Sequence, residues 1–352
     1  YRRNMHLYHK HLAHVDTSIR QALELLDQLA SDAIIFLVDD ENKLLGSLTD
    51  GDLRRGFIKG LGFEDHLSKF IQPNPKFIQQ GKYNLKEIIA LREKFFTIFP
   101  VVDAQMKIIN VVNFRHQKSY LPVDALIMAG GRGERLKPLT DNTPKPLLKV
   151  GDKPIIEHNI DRLNTYGIDD IWISVRYLGN QLVDYFKDGS EKALRINYVW
   201  EEKALGTAGA LAFVDGFIHD HVLMMNSDLL TNIDFEDLFL FFEEHEADLA
   251  VACIPYQVNV PYAVMETKDK TVTGFKEKPT YTHYSNAGIY LMKREVIHKV
   301  PKNETFNATD LMEKLIQEGK KVVAYPLVGY WLDIGKHEDY EKAQHDIKQL
   351  KF

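Results

Sequence analysis

Ala125-Leu126-Ile127-Met128-Ala129-Gly130-Gly131-Arg132-Gly133-Glu134-Arg135-Leu136-Lys137-Pro138-Leu139-Thr140 carries an apolar run into a glycine-rich, basic turn, and Pro144-Lys145-Pro146-Leu147-Leu148 follows. The apolar run predicts a buried strand. The glycines predict a turn whose backbone N–H groups meet a phosphate with no side chain in the way. Arg135 and Lys145 add fixed positive charge suited to a polyphosphate. Two other phosphate motifs are excluded. A Walker A loop ends in Gly-Lys-Ser/Thr, which is absent, and a dinucleotide fingerprint needs a third glycine where Leu136 stands.

Working outward, strand-like runs at Val123–Met128, Ile171–Val175, Ile196–Val199, Val222–Met225 and Leu249–Ile254 alternate with helical patterns. The latter span Ile155–Tyr166, Gly179–Phe186, Thr207–Phe213 and Phe235–Glu246. This alternation predicts an α/β sandwich with a mostly parallel sheet and ligands at the carboxyl ends of its strands. Asp228 ends one apolar strand, in Met224-Met225-Asn226-Ser227-Asp228, and Asp333 lies in Trp331-Leu332-Asp333-Ile334-Gly335. Carboxylates of this kind can hold a hard cation beside a phosphate.

Taken in order, these motifs resemble those of the sugar-1-phosphate nucleotidylyltransferases, from Val123 to about Lys348. The resemblance implies a Rossmann-like nucleotidyltransferase sandwich. It also implies transfer of a nucleotidyl group from an NTP to a sugar 1-phosphate, with release of pyrophosphate. Asp228 and Asp333 would bind Mg²⁺, and Arg135, Lys145 and Lys278 would join them as catalytic residues. Ala129, Gly130, Gly131 and Gly133, with Glu201, Gly206 and Thr207 in Glu201-Glu202-Lys203-Ala204-Leu205-Gly206-Thr207-Ala208, would contact the nucleotide. Glu277 and Lys278 of Phe275-Lys276-Glu277-Lys278-Pro279, and Asn286 of Asn286-Ala287-Gly288, would meet the sugar. The Glu201 segment resembles mannose-1-phosphate guanylyltransferases, because a carboxylate accepts the N1–H and N2–H of guanine. GTP and a mannose-like or amino-hexose phosphate are therefore favoured, with uridylyl or cytidylyl transfer as alternatives. Departures occur at Asn226-Ser227-Asp228, where the family more often has glycine before the aspartate, and at Tyr262-Ala263, where it often has Tyr-Gly.

Ahead of this region, Ala33–Thr49 aligns without gaps to Thr97–Asn113, matching Asp39 to Asp103 and Lys43 to Lys107. Each copy reads as strand, turn, strand, and follows an amphipathic helix. One carries Ile19, Ala22, Leu23, Leu26 and Leu29 behind a Thr17 or Asp16 cap, the other Leu85, Ile88 and Ile89. With Gly46-Ser47-Leu48-Thr49-Asp50-Gly51-Asp52, the repeat resembles a tandem CBS module over residues 1–120, a smaller α+β domain before a catalytic domain at 123–352. That resemblance implies an adenine nucleotide held at Thr49 and Asp52, with helix capping by the same pair as the alternative. The second copy has Asn113 and His116 at the equivalent positions, so no second full site is expected. The polar stretch His116–Pro122 is the expected linker.

At 352 residues the chain is long enough for two domains. Its 44 Lys and Arg against 50 Asp and Glu, a net charge of −6, argue against a nucleic-acid partner held on a broad basic face. Arg132, Arg135, Lys137, Lys145, Lys149 and Lys153 form a local basic island suited to a small polyanion. The single cysteine, Cys253, excludes an intrachain disulfide and a cysteine zinc site, and fits a reducing cytoplasm. No membrane span or signal peptide is expected, nor an appended hexapeptide acyltransferase domain. Both resembled families tend to pair, so a homo-oligomer is expected. A competing reading of another class is a non-catalytic nucleotide sensor built on the CBS pair.

Overall fold

Period-3.6 spacing places Ile19, Ala22, Leu26 and Leu29 on one face. In the computed structural model, which describes residues 8–350, these are the buried residues of helix α1 (Ile19–Leu29). Ser18, rather than Thr17 or Asp16, caps it. Only Ser18 has an acceptor three residues on, so its side chain accepts from the Gln21 N–H while Gln21 Oε1 accepts from the Ser18 N–H at 3.1 Å.

Strands β1 (Leu12–His14), β2 (Ile34–Val38) and β3 (Leu44–Thr49) form one three-stranded sheet, and helix α2 (Asp50–Ile58) follows. Strands β4 (Ile78–Gln79), β5 (Ile98–Val102) and β6 (Ile108–Asn113), with helix α3 (Leu85–Glu93) before β5, form the second. The repeat read from the sequence is a structural repeat. Asp39 Oδ1 accepts from the Glu41 and Lys43 N–H groups, and Asp103 Oδ1 accepts from Gln105 and Lys107 in the same way. The matched residues Asn42 and Met106 both take positive φ, 60° and 65°. The two turns also pair reciprocally, Leu44 N–H to Met106 O and Ile108 N–H to Asn42 O, both at 2.9 Å. The copies differ after the hairpin, because only the first continues into a helix. Asn113 accepts from the Arg115 N–H and starts a turn, with no acidic residue at position 116 to complete a capping box.

The chain divides into two compact units. Among the described residues, the first holds 8–122 together with Asn164–Asp169 and Asp188–Ile196; the second holds Val123–Leu163, Asp170–Lys187 and 197–350. The division after Pro122 falls at the end of the stretch His116–Pro122, and the first unit also takes in two later segments of the chain. Gly167 shows why: a Cβ there would lie 2.5 Å from Tyr120 Cα, a close approach of backbones far apart in sequence.

The second unit begins with β7 (Val123–Met128), followed by a short hairpin of β8 (Lys149–Val150) and β9 (Lys153–Pro154), α4 (Ile155–Thr165), β10 (Asp170–Val175), α5 (Gly179–Phe186), β11 (Arg195–Trp200) and β12 (His221–Asn226). Next come β13 (Leu229–Thr231), α6 (Phe235–Glu244), β14 (Leu249–Asn259), β15 (Val264–Lys268), β16 (Thr271–Lys276) and β17 (Thr280–Lys293). The last elements are α7 (Ala308–Gln317), β18 (Val322–Pro326), β19 (Trp331–Asp333) and α8 (His337–Asp346). The large sheet has the order β11-β10-β7-β12-β17-β14-β18. Pairs β10/β7, β7/β12 and β14/β18 are parallel, and β17 runs antiparallel between β12 and β14. The expected α/β fold with a mostly parallel sheet is therefore present. The predicted helix at 207–213 is instead a 3₁₀ segment over Gly209–Phe213. Its glycine and the run Ala210-Leu211-Ala212-Phe213 supply no side-chain cap, and packing of Ala210 and Leu211 into the core holds the segment. Among the described residues, no helix is long and apolar enough to cross a membrane.

Candidate active site

Three neighbouring strands deliver the site, and their register places its parts. Ser174, Met128 and Asn226 lie in one row across β10, β7 and β12. Two residues beyond that row the strands give way to Arg176, Gly130 and Asp228, at the carboxyl ends where open α/β sheets bind ligands.

The glycine turn keeps the N–H groups of Gly130, Gly131, Arg132 and Gly133 free of partners among the described residues, as an anion cradle requires. Gly133 sits in the left-handed region at φ 64°, and a Cβ there would lie 2.9 Å from Lys145 Cβ. The glycine thus lets Lys145 approach the turn. Thr140 Oγ1 closes the loop by donating to Gly133 O at 2.9 Å. The Ala129 N–H donates to Ser174 O at 3.0 Å, completing the strand ladder, so it is not one of the free donors of the turn. Leu136, in the place of the missing third glycine, is fully buried in a small core with Leu148, Val150, Ile155, Leu230, Ile334 and Ala343.

Asp228 and Asp333 meet although they are far apart in sequence. β13 pairs antiparallel with β19, setting Leu229 opposite Asp333, and the Ile334 N–H donates to Asp228 O at 3.1 Å. Lys145 Nζ donates to Asp228 Oδ2 in a mostly buried ion pair. The remaining oxygens, Asp228 Oδ1 and Asp333 Oδ1, are buried with no hydrogen-bond partner among the described residues. Burial and then the Asp228 charge push the Asp333 carboxyl up to about 6, although Lys145 and Arg135 pull it back. Two buried, unsatisfied carboxylate oxygens are the donor set of a hard divalent cation, so these residues fit Mg²⁺. Arg135 stands at the same place: its guanidinium lies 3.6 Å from where a Gly335 Cβ would be.

On the other flank of the turn, Glu201 is buried, and its carboxylate lies 3.0 Å from the Cβ position of Gly130. Ser174 Oγ donates to one of its oxygens and the Leu205 N–H to the other at 3.2 Å, leaving one lone pair on each. Gly206 and Thr207 serve the fold as well. A Cβ on Gly206 would strike Phe306 O at 2.7 Å, and Thr207 Oγ1 accepts from the Ala308 N–H at the start of α7. That hydroxyl keeps its own O–H to donate.

In the sugar segment, Asn286 Oδ1 accepts from the Gly288 N–H at 2.9 Å, and its Nδ2 donates to the Tyr290 hydroxyl at 2.7 Å. Gly288, at φ 73°, lies so close to Asn226 that a Cβ would fall 2.6 Å from its Nδ2. Trp331 Nε1 donates to Ala287 O at 2.9 Å, tying this segment to the strand that carries Asp333. Glu277 and Lys278 lie in the exposed turn between β16 and β17, and neither side chain has a partner among the described residues. The structure brings Arg135, Lys145, Asp228 and Asp333 together, ties Asn286 to Gly288 and Tyr290, and leaves Glu277 and Lys278 in an exposed turn.

Thr49 and Asp52 form a capping box at α2. Asp52 is 4% exposed. Its Oδ2 accepts from the Thr49 N–H and hydroxyl, and its Oδ1 from Arg55 and Gln72. Burial pushes its carboxyl up, but these donors outweigh it and hold the group below its ordinary value. With every acceptor position used, Asp52 cannot hold two ribose hydroxyls. The structure therefore shows helix capping by Thr49 and Asp52, the alternative read from the sequence.

Helix α8 was not anticipated as part of the site. Its His337 bonds Lys137 O, Tyr340 donates to Lys149 O, and Gln344 Oε1 accepts from the Gly151 N–H, so it braces the chain on both sides of Lys145. Arg176 was also missed, and the signal was a charged residue directly after the apolar strand Ile171–Val175. A second cluster, Asp124, Asp170 and His219, lies at the amino ends of the strands. There Asp124 Oδ2 accepts from the Ile218 and His219 N–H groups at 2.8 Å, so it anchors a loop.

Residues 124–350 match the nucleotidyl transfer family model and residues 11–59 match the CBS domain model. A mannose-1-phosphate guanylyltransferase of Mycobacterium tuberculosis is 32% identical, over 64% of this chain and 64% of that protein. A UTP–glucose-1-phosphate uridylyltransferase of Synechocystis is 30% identical, over 62% of each. The chain spans a little under two thirds of the length of these relatives. The structure described as a putative glucose-1-phosphate thymidylyltransferase from Bacillus anthracis superposes with a TM-score of 0.54 at 26% identity, covering 65% of this chain and 97% of that one. The match over 124–350 covers more than half of the chain, which therefore belongs to the nucleotidyl transferase family and carries a CBS domain ahead of the nucleotidyl transferase domain.

Proposed function

We propose that this chain transfers a nucleotidyl group from an NTP, GTP by preference, to a mannose-like or amino-hexose 1-phosphate. The observation that carries this reading is the pair of unsatisfied, buried oxygens on Asp228 and Asp333 beside Lys145 and Arg135. A phosphate oxygen of the sugar 1-phosphate attacks the α-phosphorus. The new O–P bond forms as the bond to the β-phosphate oxygen breaks, and pyrophosphate leaves. The free N–H groups of Gly130, Gly131 and Gly133 and the Arg135 guanidinium hold the triphosphate and the departing pyrophosphate. Lys145 balances charge at the reacting phosphate. Lys278 orients the attacking phosphate, while Glu277 and Asn286 take sugar hydroxyls. Mg²⁺ held by Asp228 and Asp333 supplies charge neutralisation when bound. No general base is needed, because the sugar phosphate is already ionised at neutral pH.

The guanylyltransferases among the similar proteins support GTP, as do the lone pairs left on Glu201; the uridylyltransferase relative keeps UTP as the second choice. A reducing cytoplasm and a homo-oligomer are part of the proposal, the former supported by the single buried cysteine, Cys253.

The test is pyrophosphate release from a matrix of four NTPs against a set of sugar 1-phosphates, with Asp228→Ala beside the wild type. The expected result is turnover that Asp228→Ala lowers at least about 100-fold, the size of loss seen when one transition-state charge contact is removed. Retention of most activity by that variant under saturating Mg²⁺ would overturn the reading.

A further inference from the structure

Arg176 is a charged residue for which the fold provides no partner. It follows β10 directly, is half-buried, and its Nε is buried with no hydrogen-bond partner among the described residues. No ion pair involves it among the described residues, although Glu201 is close: Glu201 Oε1 lies 3.0 Å and Arg176 Cβ 3.5 Å from the same point, the Cβ position of Gly130. A cation half-removed from water without a partner is costly, so its retention points to a partner that is not part of the protein.

The register decides which part of a nucleotide lies there. Arg176 and Asp228 flank Gly130 on opposite sides, on strands β10 and β12 separated by β7. At about 4.8 Å per strand, the Arg176 side stands about 10 Å from the Asp228 side. The carboxylate pair takes the reacting phosphate, which leaves the base for the Arg176 and Glu201 flank.

We infer that Arg176 and Glu201 form a donor–acceptor pair that reads an oxo base edge, a ring carbonyl beside a ring N–H. The guanidinium donates to the carbonyl oxygen, O6 of guanine or O4 of uracil. Glu201 accepts from the adjacent N–H through the lone pairs that Ser174 and Leu205 leave open. Guanine offers its N2–H to Glu201 as well and so fits best. Adenine and cytosine present an amino group to Arg176 and a bare ring nitrogen to Glu201, and both contacts repel. The inference rests on the proposed nucleotide site but commits to a class of base rather than to GTP alone.

The experiment uses the full chain with GTP, UTP, ATP and CTP. It reads calorimetric affinity without sugar phosphate, and separately kcat/KM for pyrophosphate release, in the wild type, Arg176→Ala, Arg176→Lys and Arg176→Gln. The wild type should favour GTP and UTP over ATP and CTP. Arg176→Ala should cut affinity and kcat/KM for the two oxo nucleotides by about 5- to 150-fold and leave those for the amino nucleotides no lower than in the wild type, with Arg176→Lys recovering part of the loss. If Arg176→Ala fails to fold, the lysine and glutamine variants carry the same comparison of ratios. An equal loss for all four nucleotides would assign Arg176 to the triphosphate and overturn the inference, as would no loss at all. A wild-type preference for ATP or CTP would overturn it too. Selective binding of oxo nucleotides without turnover on any sugar phosphate would support the base reading and sink the proposed reaction.

Discussion

Asp333 holds a charge conflict at the heart of the candidate active site. Burial and the neighbouring Asp228 raise its carboxyl from 3.8 to about 6. The folded chain therefore binds a proton there between about pH 4 and pH 6 that the unfolded chain has already released. Stability from this group falls as pH rises through that window, and the full penalty applies above it. Asp333→Asn removes the penalty. In metal-free buffer at pH 8 the variant should be more stable than wild type by about 1–3 kcal/mol, a gain that disappears below about pH 4. Added Mg²⁺ should stabilise the wild type and not the variant, which should also lose turnover. Denaturant unfolding at the two pH values checks this, and an unchanged or lower stability at pH 8 would contradict the conflict described.

At the scale of elements, the glycine turn is held in place by what lies beneath it. Leu136 of the turn, Val150 of β8, Ile155 of α4, Leu230 of β13, Ile334 after β19 and Ala343 of α8 share one small core. Elements from both ends of the second unit thus meet under the phosphate cradle. Leu136→Ala leaves a cavity in that core and should cost about 2–5 kcal/mol of stability. Because the turn rests on the same core, KM for the NTP should rise before the protein unfolds. A thermal shift with KM measured well below the midpoint checks both parts. Leu136 stands where a dinucleotide fingerprint would need a third glycine for the same reason: this position fills a core rather than making room for a backbone.

For the whole molecule, the question is what the first unit contributes. Asp52 accepts from Thr49, Arg55 and Gln72, and we propose that it serves stability rather than ligand binding. Asp52→Ala should lower stability by about 1–3 kcal/mol, since it leaves several donors unpaired. It should leave kcat/KM unchanged, together with any response to AMP, ADP or ATP. Kinetics of the full chain with each adenine nucleotide, alongside thermal unfolding, test this. A nucleotide response that disappears in Asp52→Ala while stability is retained would restore the ligand role at Thr49 and Asp52.

What could be read from the sequence alone were features set by near neighbours along the chain. The glycine turn after Met128, the boundaries of α4 and α5, and the twin turns at Asp39 and Asp103 all rest on backbone propensity or on hydrogen bonds spanning a few residues. The resemblance of ordered motifs carried the aspartate pair as well, because those residues do their chemistry in a fixed order along the chain. The tertiary structure alone decided which polar atoms remain free. Thr49 and Asp52 read equally well as a cap or a ligand site until Gln72, 20 residues away, filled the last acceptor position. Arg176 drew no notice in the sequence, and only the folded chain shows its Nε buried beside the Glu201 segment with no partner among the described residues. Local geometry specifies which groups a side chain can bond. Whether those groups are already satisfied depends on segments that arrive from far along the chain, and that remainder marks out a binding site.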